Sequence, residues 1–229
     1  MTQPIERKKN YYGLVLGRFQ PLHLGHMEYL DAARERSTHL AIGITNPDKH
    51  TLIYDSADPK RSRPDSNPFS YFDRQRMISA SLVESGWEYE TFSIVPATIN
   101  RPQDMKSYLP PPACTTAYIT VYDEWGDRKA DLISGLGYAV DILWRRDEND
   151  RLTSGTAVRD MISSGRSAWR ELVPHAVSRY LDENGWSETL SSQSTPESSG
   201  GQDRPPSPTG DALSERAPRA ASIVDSASK

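Results

Sequence analysis

Two histidines three residues apart, His23 and His26, stand in the stretch Gly17-Arg18-Phe19-Gln20-Pro21-Leu22-His23-Leu24-Gly25-His26, which also holds one arginine. These residues offer N–H donors to phosphate oxygens. The stretch contains no carboxylate and no lysine, so a general-base or Schiff-base site is not what it resembles chemically. The stretch itself offers no third ligand such as Glu or Cys beside the two histidines, which disfavours a metal centre built on them. The chemistry that remains is the holding and neutralising of phosphate.

Such donors need a frame. The apolar run Leu14-Val15-Leu16 before the stretch reads as a short buried strand, and residues 27–36 after it read as a helix. Gly17 and Gly25 let the backbone approach a ligand closely, and the helix behind them turns its positive dipole end toward that ligand. Four further β-rich apolar runs, at 39–44, 89–95, 117–121 and 138–143, follow the one at 12–16 and alternate with helical patterns. That alternation predicts an α/β fold: a Rossmann-like five-stranded parallel sheet with helices on both faces. One helix begins at Ser70, with Asp73 completing a capping-box-like pair and Phe72, Met77, Ile78 and Leu82 turned to the sheet. Another covers 125–136 and stops at Gly137. Ser154 suits the N-cap of a helix carrying Arg159 and Met161-Ile162, and Pro174 marks a break or a new first turn within 169–184.

The 229 residues suggest one domain or slightly more, and a formal charge of −4 disfavours a general nucleic-acid binder. No stretch of about twenty apolar residues is present, and MTQPIERKKN lacks the apolar core of a signal peptide, so a soluble cytoplasmic protein without a membrane partner is expected. A single cysteine, Cys114, excludes an internal disulfide and reads as a small, half-buried hydrophobe. The polar connection 46–69 holds Lys49, His50, Lys60, Arg61 and Arg63; a lid over a substrate and a solvated surface loop are equally good readings of it. Beyond Trp186 the chain is rich in Ser, Pro, Gly, Ala and Arg, with only Leu190, Leu213, Ile223 and Val224 as larger aliphatics. The expected organisation is therefore a domain over 11–186 and a disordered, catalytically irrelevant tail over 187–229.

The stretch G-R-F-x-P-x-H-x-G-H resembles the signature of the nucleotidyltransferases that share an H-x-G-H loop, most closely the archaeal-type nicotinamide-mononucleotide (NMN) adenylyltransferases. Their second signature, I-S-x-T-x-x-R, is matched by Leu152-Thr153-Ser154-Gly155-Thr156-Ala157-Val158-Arg159, and their W-x-x-L-V-P step by Trp169-Arg170-Glu171-Leu172-Val173-Pro174. His50-Thr51 and Asn67-Pro68-Phe69-Ser70 match two further steps, and Arg74 falls on the family's helix arginine. The resemblance covers roughly residues 11–186. It implies attack by an acceptor phosphate or phosphonate oxygen on the α-phosphorus of a nucleoside triphosphate, with release of pyrophosphate and no enzyme nucleophile. In that reaction His23, His26 and Arg159 are the catalytic residues. Gly17, Arg18, Phe19, Gln20, Gly25, Thr153, Ser154, Gly155 and Thr156 bind the nucleotide, largely through backbone N–H groups. Mg²⁺ comes with the triphosphate and takes no ligand from the protein. His50, Asn67, Arg74, Asn100, Tyr122, Arg145 and Arg146 are candidate acceptor ligands, with surface charge as the plain alternative for the last two.

The chain departs from the archaeal family at the acceptor. Where that family has I-N-x-x-x-x-W, the Trp stacking on nicotinamide, this chain ends Ile99-Asn100-Arg101-Pro102-Gln103-Asp104-Met105. Its T-N-x-P-like step becomes Thr120-Val121-Tyr122-Asp123-Glu124-Trp125. Tyr122 or Trp125 could supply the stack, which keeps ATP and NMN as a reading. The added basic groups, with Arg101, and the tail composition resemble diverged members that serve phosphonate natural-product pathways, which favours CTP and phosphonoformate. A nucleotide-binding regulator without turnover is the reading from another class. A dinucleotide fold is disfavoured because G-x-G-x-x-G spacing is absent, and an aminoacyl-tRNA synthetase because K-M-S-K-S is absent. The archaeal relatives assemble as oligomers; no interface signal here carries that over, and a homo-oligomer stays open.

Overall fold

A computed structural model of the chain describes residues 10–48, 50, 52 and 63–193. Its strands are β1 (Asn10–Gly17), β2 (Ser37–Thr45), β3 (Phe92–Ala97), β4 (Thr115–Val121) and β5 (Ala139–Arg145). They form one sheet in the order β3-β2-β1-β4-β5, with every pairing parallel. The helices are α1 (Leu24–Arg34), α2 (Tyr71–Glu84), the single turn α3 (Pro102–Met105), α4 (Glu124–Gly135), α5 (Gly155–Ser163), α6 (His175–Glu183) and α7 (Trp186–Gln193).

Alternate residues of each strand feed two separate cores. Val15, Leu40, Ile42, Ile44 and Tyr118 pack with residues of α1, α2, α5 and α6 on one face. Leu14, Leu16, Ala41, Ala117, Ile119 and Val121 pack with Met105 of α3 and Ile133 of α4 on the other. The sheet is therefore covered on both sides, as the near-continuous apolar strands require. Among the described residues no helix is long and apolar enough to cross a membrane.

The chain winds outward from β1 to β3 and then returns to lay β4 against the other side of β1. β1 pairs with β2 as far as Gly17, whereas its pairing with β4 ends at Leu14 opposite Ala117. Beyond that point β1 and β4 part, and their carboxyl ends frame a crevice at the place where the strand order reverses, which is where open α/β sheets bind ligands.

Local signals place several elements as expected. Ser70 caps α2: its side chain accepts from the Asp73 backbone N–H while the Asp73 carboxylate accepts from Ser70. α4 is closed by Gly137 at φ +92°. Pro174 is the N-cap of α6, separating it from a 3₁₀ segment over Ser167–Leu172. Other expectations are corrected. Phe72 points to solvent, and Tyr71 packs against the core instead. Tyr89–Thr91 is a 3₁₀ turn ahead of β3 rather than the strand's beginning. Cys114 is exposed at the end of a 3₁₀ turn, not half-buried. The folded part also runs past Trp186: residues 187–193 belong to α7, whose Leu190 is buried. The rest of the expected tail lies outside the described residues, as do Lys49, Thr51, Lys60 and Arg61 and most of the proposed lid.

Candidate active site

A cavity of about 360 Å³ lies over the parted ends of β1 and β4. Three helix N-termini open onto it. α1 begins behind His23, whose side chain makes no capping bond; the His26 N–H already donates to the His23 carbonyl at 2.8 Å, which leaves those of Leu24 and Gly25 for a ligand. α5 begins behind Ser154, which accepts from Ala157 N at 3.1 Å. α4 begins behind Asp123, whose carboxylate already accepts from Gly126 N at 3.0 Å. The α1 and α5 ends thus favour an anion, while the α4 end already holds one.

The two motifs are locked to each other. Arg159 is buried; its Nη1 donates to the Gln20 carbonyl and its Nη2 to Thr156 Oγ1 at 3.3 Å. The helix end approaches so closely that a Cβ on Gly155 would stand 2.6 Å from Gln20 O, so no larger residue fits without moving backbone. The Gln20 side chain faces away from the cavity chemistry. It donates to the Phe69 carbonyl at 3.0 Å and accepts from Phe69 N at 3.0 Å, tying the loop to the entry of α2. Phe19 sits in the left-handed region at φ +52° with its ring fully buried, and a Cβ on Gly17 would meet that ring at 2.7 Å. Gln20 and Phe19 therefore shape the site through backbone and packing, and their side chains are not nucleotide ligands.

The imidazoles of His23 and His26 stack with ring centroids 3.7 Å apart, and Phe19 covers His26 at 4.7 Å. Both Nδ1 atoms are buried and have no hydrogen-bond partner among the described residues. Burial pushes His23 down to about 3, with the charge of Arg151 a second cause. His26 is held well below the usual imidazole range by burial and then by His23, Arg18, Lys129 and Arg151. Both rings are neutral near pH 7, each with one N–H to donate and one lone pair. Arg18, Gly25, Thr153, Thr156 and Tyr122 line the same cavity.

Sequence reasoning missed one side of it. Between the connections β4–α4 and β5–α5, the cavity is lined by Asp123, Lys129, Glu148 and Arg151 together with Tyr122 and Trp125. Arg151 donates to Asp123 Oδ2 at 3.1 Å and lies over the Tyr122 ring at 4.5 Å. The only local hint is that Arg151 stands three residues before the N-cap Ser154; its partners come from a distant segment.

The remaining candidate acceptor ligands do not line this cavity. Arg74 is fully buried and spends all five N–H donors on backbone carbonyls: Ser70 at 3.1 Å, Arg18 at 3.0 Å, Thr45 and Asn46 at 2.8 Å and Pro47 at 3.3 Å. It braces the loop ends against α2, and no donor is left over for an acceptor. Asn67 is buried, with Nδ2 on the Arg63 carbonyl at 2.8 Å. Arg145 pairs with Asp127 of α4 and Arg146 with Glu28 of α1, each at 2.7 Å, so both are engaged in ion pairs. His50 is exposed, its N–H donating to Asp48 Oδ1 at 2.8 Å. Asn100 lies in a separate small depression with Asn46, Asp48 and Arg101 at the ends of β2 and β3.

Comparison with known proteins gives a consistent result. Residues 14–161 match the family model described as cytidylyltransferase-like. Phosphonoformate cytidylyltransferase of Streptomyces viridochromogenes is 43% identical over 78% of this chain and 94% of its own length. Nicotinamide-nucleotide adenylyltransferase of Picrophilus torridus is 31% identical over 74% of this chain and 89% of its own. Among solved structures, a bifunctional NMN adenylyltransferase/ADP ribose pyrophosphatase from Francisella tularensis shares the fold with a TM-score of 0.52 at 16% identity, covering 80% of this chain and 53% of that one.

Proposed function

The chain belongs to the cytidylyltransferase-like family and is a nucleotidyltransferase, and from that premise we propose that it transfers CMP from CTP to a phosphonate oxygen of phosphonoformate. The observation that carries the choice of substrates is the 43% identity to phosphonoformate cytidylyltransferase across 94% of that protein's length. The departure from the NMN enzymes points the same way: Met105, at the position of their stacking Trp, is fully buried in the core and offers no ring to nicotinamide.

In the reaction an ionised phosphonate oxygen attacks the α-phosphorus, the bond from that phosphorus to the bridging α,β oxygen breaks, and the electron pair leaves on pyrophosphate. No proton need be transferred. The protein's task is to hold two anions in line and to meet charge growing on the α-phosphate and the leaving group. Neutral His23 and His26 donate N–H to the phosphates, and Arg18 and Arg159 supply fixed charge. The open N-terminus of α1 and the backbone at Ser154, Gly155 and Thr156 complete the cradle. Among the described residues no group of three or more His, Cys, Asp or Glu side chains could hold a metal ion. Mg²⁺ in this reading enters as part of the triphosphate substrate, neutralising phosphate oxygens. The phosphonate must enter the same cavity as the triphosphate, because in-line attack brings its oxygen into contact with the α-phosphorus. Use of CTP assigns the enzyme to the cytoplasmic nucleotide pool.

Pyrophosphate release, measured with Mg²⁺, each of the four nucleoside triphosphates and either phosphonoformate or NMN, tests the proposal. Release with CTP and phosphonoformate is expected. Release confined to ATP and NMN overturns it.

A further inference from the structure

This inference rests on CTP being the nucleotide donor and concerns how its base is chosen. Arg151 enters the cavity from the β5–α5 connection with its guanidinium 4.5 Å over the Tyr122 ring. Nη2 is pinned by Asp123 Oδ2 at 3.1 Å and Glu148 Oε1 at 3.4 Å. Nε is buried without a hydrogen-bond partner among the described residues. The ring beneath is itself fixed, because the Tyr122 hydroxyl accepts from Trp144 Nε1 at 2.9 Å and Trp144 lies under Arg146 at 4.4 Å. A register shift in the β4–β5 pairing sets Trp144, rather than Leu143, opposite Thr120 and so re-aims it along the sheet. A chain of contacts thus runs from the Glu28–Arg146 pair, on α1 and just past β5, through Trp144 and Tyr122 to Arg151 in the cavity.

The two carboxylates beside Arg151 are not equivalent. Asp123 has both oxygens committed, one to the α4 cap and one to Arg151. Glu148, with a side chain 64% exposed, touches Arg151 through one oxygen and sits at the rim. The cavity edge therefore presents, in sequence, a carboxylate acceptor and the N–H donors of a planar guanidinium held in a fixed orientation.

We propose that Glu148 and Arg151 read the pairing edge of cytosine, with Tyr122 holding the guanidinium in plane. Cytosine offers an amine donor at N4 and acceptors at N3 and O2, the complement of one carboxylate and two N–H groups. Uracil sets a carbonyl oxygen against the carboxylate and an N–H against the guanidinium. Guanine presents the reverse pattern, and adenine matches two positions and leaves a C–H at the third.

The test compares kcat/KM for CTP, UTP and ATP, and calorimetric binding of CTP and UTP without acceptor, in the wild type and in Arg151→Lys and Glu148→Gln. Each substitution should lower the CTP-to-UTP ratio by about ten- to a hundredfold, most of it through CTP. Glu148→Gln changes an exposed side chain, so its effect is read on a folded protein. An equal loss for all triphosphates would mean that Arg151 serves the phosphates, and would overturn the inference. Preferred binding of CTP with no turnover of phosphonoformate would remove the proposed acceptor while leaving the base reading in place. Preferred binding of ATP by the wild type would overturn both.

Discussion

The imidazole of His23, the residue before α1, stacks on that of His26 in its first turn, the two planes lying 25° apart. Neither ring finds a hydrogen-bond partner for its Nδ1 among the described residues. A buried polar atom kept without a partner costs stability, so its use lies with a ligand. Replacing His26 with Ala should lower kcat/KM by about 100- to 1,000-fold, the size of effect seen when one preorganised donor is removed. The melting temperature should fall little, because no internal bond is lost. Steady-state kinetics and thermal unfolding on the same preparation check both halves.

The depressed histidines set the acid limit of the fold. His23 titrates at about 3 when folded and near the ordinary 6.5 when unfolded. Between those values the unfolded chain binds more protons, so stability is fully present above pH 6.5 and is lost as pH falls toward 3. The slope is about 1.4 kcal/mol per pH unit for each histidine fully inside its window. Denaturant unfolding at pH 7, 6 and 5 should show a steeper loss for the wild type than for His23→Asn, which has no imidazole to protonate.

Gly155 admits no side chain, since its Cβ would stand 2.6 Å from the Gln20 carbonyl oxygen. Gly155→Ala should cost about 1–3 kcal/mol of stability through overpacking. It should also raise KM for the nucleotide, because the α5 terminus must back away from the loop. Urea unfolding and nucleotide titration measure the two effects separately.

Arg74 is a cation solvated by five backbone carbonyls, and burial alone pulls its pKa down to about 10. Arg74→Met fills a similar volume and leaves those carbonyls without their donor, at a cost of about 3–5 kcal/mol. Arg74→Lys, with three donors, should recover part of the loss. Chemical denaturation of the three proteins decides whether the residue braces the fold or binds acceptor; a stable Arg74→Met protein with a raised acceptor KM would refute the brace.

What could be read in the sequence was local. The loop from Gly17 to His26, the Ser70–Asp73 cap and the stop at Gly137 each depend on residues within a turn of one another, and each stands where its chemistry predicts. The failures come from long-range packing. An arginine at the end of β5 looks the same in sequence whether it faces substrate or meets Asp127 from a neighbouring helix, as Arg145 does. Arg74 stood among the candidate acceptor ligands by its match to the family's helix arginine, because nothing nearby in sequence reveals that Thr45, Asn46 and Pro47 end beside it. Arg151 was overlooked for the converse reason: Asp123 and Tyr122, which aim it, lie some thirty residues earlier in the chain.

The sheet is complete at Arg145, yet Arg159 reaches back across 139 residues to the Gln20 carbonyl, and α5 in turn rests on the helix that buries Leu190. During synthesis, a growing chain therefore possesses all five strands before it possesses a usable phosphate cradle. The ribosome must release the last helices before the loop and α5 can close on each other. Competence to bind nucleotide is thus a late event, and a chain arrested after β5 would be an architecture without a pocket to fill.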